Sequence, residues 1–417
     1  MCFCPANPRS GAGDSFIAIL DGTTHRTRGL NASFKDFPQE TDMPHTMRVI
    51  AWDDPRCIDP LRAASEEWAA RTGGEIEISR RPLTAFNDQP LRELSPDCDV
   101  MIIDFPHVSQ AMQEGAIIPI EKIVDEEITR SISANAIGPA QASFLVDGVH
   151  AAFCSDAACH VAAHRPATLS RCGASAPATW DEVISLAEGF PGSVALALYP
   201  TDAIASLMSI AAGKGAAPDG GMRFFPDSEA AKESIDLLVR LTRVVDDHCW
   251  QCTPQALFKA AQATPGIAYI PLTFGYVRYT RPEEGGWRFT APPAGCGSTL
   301  GGAGMAVSSQ SSLTEFAAEF VSWYCGDEGQ VLAGRAWGQP SGLSAWNDPE
   351  IDEMTSGFYS GTRETQAAAW VRPLNSWWPT VQEKIGQHLA RLLQANEPND
   401  KILSEIEVVY QALRGKL

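Results

Sequence analysis

Positive charge is scarce in this 417-residue chain. It has 32 lysines and arginines against 51 aspartates and glutamates, a net charge of -19. Such a field repels phosphate backbones and anionic lipid surfaces, which excludes a nucleic-acid partner and electrostatic attachment to a membrane. It says nothing against a neutral ligand. Long apolar runs are missing too: no stretch approaches the roughly 20 residues that span a bilayer. There is no G-x-S-x-G elbow, no H-E-x-x-H pair and no kinase set. "LGGAG", from Leu300 to Gly304, lacks the Gly-Lys-Ser/Thr end of a phosphate loop.

Cysteine is present but not as a scaffold. The count of 11 is odd, and a chain of this size does not need staples, so mostly free thiols are expected. Cys249-x-x-Cys252 follows a helix and precedes Pro254, which is the wrong setting for a redox pair. Cys154, Cys159, His160 and His164 resemble zinc spacing only loosely, in what reads as a strand. No metal and no cofactor are predicted. The first 46 residues are polar and rich in turn formers, with one short apolar patch from Phe16 to Leu20. They read as a flexible extension without an export signal, and Met43 or Met47 would serve as alternative starts.

What is there is an α/β pattern. A chain of this length predicts two lobes rather than one small core. Met47 to Trp52 reads as a short buried strand, and Asp59-Pro60 as the start of a helix. Leu61, Ala64 and Trp68 share a helical face that Gly73-Gly74 ends. "EIEI", Glu75 to Ile78, alternates like a half-exposed strand. "DVMIID", Asp99 to Asp104, is a continuous apolar run and reads as a buried parallel strand. A helix follows over Val108 to Glu114, closed by Gly115. Thr179 and Glu182 form a capping box. Ser193 to Asp202 and Pro265 to Tyr276 read as strands, and Ser228 to Val245 as a helix. Leu300 to Ser308 is a glycine-led strand, followed by a helix capped by Ser312 and Glu315. Thr380 to Leu413 reads as two helices parted near Glu397-Pro398.

Three of these strands end in clusters suited to a small polar ligand, because ligands of open α/β sheets sit beyond the carboxyl ends of the strands. They are Trp52-Asp53-Asp54-Pro55-Arg56, Asp104-Phe105-Pro106-His107 and Tyr199-Pro200-Thr201-Asp202. Carboxylates and guanidinium groups pair with adjacent hydroxyls, and aromatic faces cover the C–H side of a sugar ring. Each cluster alone also reads as caps and turns. Trp68, Trp180 and Trp323 sit at helical core positions. Trp337, Trp346, Trp370, Trp377 and Trp378 lie in loop-like sequence, where a ring is free to line a cleft.

The order of these motifs resembles the extracellular solute-binding proteins of bacterial ABC importers, in the carbohydrate branch related to maltose-binding protein. "MRVIAWDDPRCIDPLRAASEEWAARTGGEIEI" is similar to that family's opening strand, ligand loop, first helix and second strand. "DVMIIDFPHVSQAMQEGAIIPIEKIVD", "DGVHAAFCSDAACHVAAHRP", "PATWDEVISLAEGF", "LGGAGMAVSSQSSLTEFAAEFVSWYCGDEGQ" and "GQPSGLSAWNDPEI" follow in the family's order. The resemblance implies an α/β type II periplasmic-binding-protein fold, in which two lobes close over a ligand by hinge bending. It implies lobes of 47–155 plus 303–345 and of 159–300 plus 350–417. The ligand residues it implies are Trp52, Asp53, Asp54, Arg56, Asp104, His107 and Asp156 on one side. Tyr199, Asp202, Phe274, Tyr276, Gly302, Trp337, Arg372 and Trp377 complete the set.

The function so implied is non-catalytic binding of a sugar, oligosaccharide or polyol by a periplasmic monomer that serves ABC permease subunits. Two alternatives stay open. One is a cytoplasmic sensor on the same fold, since the chain shows no export signal. The other is an enzyme using Asp104 or Asp156 as base with His107. Cys154 stands where the family has proline at the first crossing between lobes.

Overall fold

Both faces of the first strand, β1 (Thr46–Trp52), are covered. Met47, Val49 and Ala51 pack into one buried cluster while Ile50 packs into another. Val100 and Ile102 of β3 (Val100–Asp104) join the first cluster, and Met101 and Ile103 the second. Alternate side chains of a strand point to opposite faces, so a sheet buried on both sides reads as an unbroken apolar run. This computed structural model describes residues 46–82 and 91–415. Except for Thr46, which begins β1, the N-terminal stretch read as an extension lies outside the described residues.

β1 pairs in parallel with β2 (Glu75–Arg81) and β3. β4 (Phe153–His164) is a 12-residue strand, followed in the chain by β5 (Tyr269–Phe274), β6 (Arg288–Thr290) and β7 (Leu300–Val307). β7 runs antiparallel between β3 and the first half of β4. The second half of β4 pairs antiparallel with β5 and β6. The sheet order is therefore β2-β1-β3-β7-β4-β5, with β6 also on β4. β4 and β7 carry the chain from the β1 region to the β5 region.

Helix α1 (Pro55–Thr72) is capped by Asp54, whose carboxylate accepts the Arg56 backbone N–H at 2.8 Å. The helix thus starts five residues before the expected Asp59-Pro60. Asp-Pro occurs twice, and the earlier pair brings Cys57 and Ile58 as well as Leu61 into the core. Gly73, at φ 74°, closes the helix in the left-handed region. Trp68 packs against Phe316, Phe320 and Trp323 at 5.4–5.6 Å between centroids.

After α1 come α2 (Val108–Gln113), α3 (Trp180–Gly189), α4 (Pro200–Gly213) and α5 (Ser228–Thr242). α6 (Thr314–Cys325), α7 (Trp378–Gln394) and α8 (Asn399–Arg414) complete the set needed here. α3 has the expected capping box of Thr179 and Glu182. α6 does not begin on a Ser312 cap; Ser311 Oγ instead accepts the Leu313 N–H at 3.0 Å.

Ser193 to Asp202 is not a strand. Val194 makes one parallel bridge with Tyr269, and the N–H groups of Leu198 and Tyr199 donate to the Cys249 and Cys252 carbonyls. The segment is apolar because it is buried: its first residues touch only the start of β5, and its last ones run beside the 247–252 turn. Pro200 then begins α4, so Asp202 lies in a helix's first turn. Among the described residues, no helix is long and apolar enough to cross a membrane.

Candidate ligand-binding site

A cleft of about 790 Å³ opens where the ends of β1, β3 and β5 meet the crossing of β4 and β7. Its shape starts from a backbone irregularity. The β4–β7 register shifts between Cys154 and Asp156, a bulge that re-aims the side chains beside it. Opposite stands Gly302 at φ 135°, where a Cβ would lie 2.2 Å from the Asp156 carbonyl oxygen. Only glycine allows the two backbones so close.

Asp156 is buried, and it meets Arg56 from the first turn of α1. Arg56 Nε donates to Asp156 Oδ2 at 2.8 Å and Nη2 donates to Oδ1. Nη1 donates to the Gly275 carbonyl at 3.1 Å, and the guanidinium lies 4.9 Å from the centre of the Tyr276 ring. A fork-on-fork pair of this kind fixes orientation as well as charge. Burial works against the Arg56 cation, but Asp156 outweighs it and holds the guanidinium above its ordinary pKa. On the acid, burial pushes the carboxyl up more than Arg56 pulls it down.

Asp104 ends β3 and, with His107 on the following turn, lines the cleft. Arg372 faces them. Its guanidinium lies 4.3 Å from the centre of the Phe105 ring, and Nη1 donates to Gln382 Oε1 at 3.2 Å. Burial lowers the Arg372 pKa, and Asp104 is the charge that opposes this. On the other wall are Tyr199 and Asp202 at the start of α4, with Phe274 and Tyr276 after β5. Phe274 packs edge-on against buried His160 at 4.4 Å and fills the space beside Gly301. Burial lowers His160 to about 3, so this imidazole is neutral. The Asp202 carboxyl, also buried, is raised to about 7 by burial alone.

Eleven of the fifteen expected residues therefore surround one cleft: Trp52, Arg56, Asp104, His107, Asp156, Tyr199, Asp202, Phe274, Tyr276, Gly302 and Arg372. Four do not line it. Asp53 turns outward beside Arg80 at 3.4 Å, with its side chain 57% exposed. Asp54 spends its carboxylate on the α1 cap. Trp337 lies under Arg281, 4.1 Å from its guanidinium. Trp377 packs between Trp378 and Tyr410, and Trp378 itself is fully buried against Phe224. In each case a local partner claims the side chain.

Several lining residues went unread in the sequence, among them Gln110, Gln251, Thr253, Gln382 and Glu383. Gln382 did leave a signal: it stands one turn after Trp378 on the buried face of α7, and it accepts from Trp378 Nε1 at 3.2 Å. A polar residue on an apolar face needs a partner.

Residues 66–351, more than half of the chain, match the model of a family described as bacterial extracellular solute-binding protein. The chain belongs to this family. Solved structures agree on the fold of this solute-binding protein at low identity. Maltose-bound MalE3 of T. maritima is 16% identical, with a TM-score of 0.74 over 89% of this chain and 100% of that one. A ribitol complex from Agrobacterium radiobacter K84 is 16% identical, with a TM-score of 0.71 over 89% and 100%. A D-mannitol complex from Agrobacterium vitis S4 is 15% identical, with a TM-score of 0.72 over 89% and 99%. No curated protein matches. The fold of this family member is thus the two-lobed α/β type II periplasmic-binding fold, as the sequence motifs implied.

Proposed function

We propose that the chain is the solute-binding component of an ABC importer and takes a sugar, oligosaccharide or polyol into the cleft by hinge closure. The observation that carries this reading is the cleft's lining, in which carboxyl and guanidinium groups alternate with Trp52, Tyr199, Phe274 and Tyr276. Flat rings beside bidentate polar groups suit a ligand with an apolar ring face and a hydroxyl edge. Structural neighbours that carry maltose, ribitol and mannitol support it.

The moving bodies are 47–155 with 303–345 and 159–300 with 350–417, joined through the β4–β7 crossing. The eleven cleft residues are the binding set. The protein acts without turnover, as a periplasmic monomer presented to permease subunits. Asp156, one of the two bases of the enzyme reading, is held by Arg56, which disfavours it in that role.

The test is intrinsic tryptophan fluorescence, since Trp52 lies in the cleft. The protein is titrated with a panel of sugars and polyols, and the mixture is then checked by chromatography. A saturable change with no new product is expected. A folded protein silent to the whole panel, or one that forms product, overturns the reading.

A further inference from the structure

Among the described residues, six formally charged side chains line the cleft: Arg56 and Arg372 against Asp104, Asp156, Asp202 and Glu383. Three of the four carboxyl groups have a cation. Asp156 has Arg56. Asp104 acts on Arg372. Glu383, at the rim, meets Lys384 Nζ at 3.2 Å and also accepts from Gln387 at 2.7 Å.

Asp202 has none. It is 8% exposed, it lines the cleft, and its carboxyl accepts no hydrogen bond and meets no cation among the described residues. Its backbone N–H is used, donating to the Tyr199 carbonyl at 2.8 Å, so only the side chain is left open. A buried carboxylate without a partner is costly, and a cationic group on a ligand in this cleft would supply the missing counter-charge. The ring of Tyr199 stands in the same wall, and aromatic faces favour cations.

We propose that the solute carries a cationic nitrogen on its hydroxylated skeleton, as in an amino sugar or amino polyol, and that Asp202 pairs with that ammonium group. An anionic solute is disfavoured by the same census, since it would add to an excess of carboxyl groups. This inference rests on the sugar-or-polyol reading above and narrows it.

The experiment is isothermal titration calorimetry of the full chain with matched pairs: glucosamine against glucose, and glucamine against sorbitol. Tetramethylammonium serves as a cation without hydroxyls. At least one amino compound is expected to bind ten-fold or more tightly than its neutral match. Asp202→Asn, nearly the same shape, is expected to bring that ratio close to one, with a thermal melt to confirm folding. Should that variant not fold, the wild-type ratio decides alone. Equal binding of the amino and neutral partners overturns this inference and leaves the sugar reading standing. Binding of tetramethylammonium with no sugar or polyol bound supports the cation and overturns the sugar reading. No binding of any probe overturns both.

Discussion

At the residue scale, the Arg56–Asp156 pair carries the largest expectation. Both partners are buried, and removing one leaves the other charged and unsolvated. Arg56→Ala should therefore cost about 3–5 kcal/mol in urea unfolding. Replacing both by apolar side chains of similar volume should cost much less, because the desolvation penalty leaves with the charges. Asp202 gives the opposite sign. Burial raises its folded pKa to about 7, above the ordinary value of 3.8, so the folded state holds the proton more tightly than the unfolded one. Unfolding free energy should then fall as pH rises from about 4 to 7 and level off above that. The full shift corresponds to about 4 kcal/mol. Asp202→Asn should flatten this fall and raise the melting temperature at pH 8 more than at pH 4.

At the element scale, the β4 bulge and the glycine opposite it position the site. Gly302→Ala places a methyl 2.2 Å from a backbone oxygen at a φ that L-residues avoid. It should destabilise the fold by roughly 2 kcal/mol or more and weaken ligand binding, read by thermal melting and by titration of the same protein. Local signals were legible for elements whose partners are near in sequence. The capping box of α3, the glycine stop of α1 and the break at Glu397-Pro398 all rest on bonds within a few residues. Ser193 to Leu198 misled because apolarity reports burial and not the neighbour. Asp59-Pro60 misled because a second Asp-Pro pair offered the same cap.

At the scale of the whole molecule, closure of two lobes over a cleft of about 790 Å³ should make the protein more compact. Small-angle X-ray scattering with the titrant that saturates the fluorescence signal should show a smaller radius of gyration than the free protein. An unchanged profile under saturating ligand would mean that binding proceeds without hinge motion.

The sequence by itself determined the alternation of strands and helices, the both-sided burial of β1 and β3, and the family. These follow from periodicity, capping and motif order, which local sterics and burial write directly into the chain. Only the tertiary structure decided which polar residues share a cleft. Arg56 reaches Asp156 across 100 residues and Gly275 across 219, and no local spacing encodes such a meeting. Asp53, Asp54, Trp337 and Trp377 were equally plausible in sequence, and each was claimed by a neighbour instead. A side chain's role is set by what packs against it, and the partners that build this cleft come from distant parts of the chain.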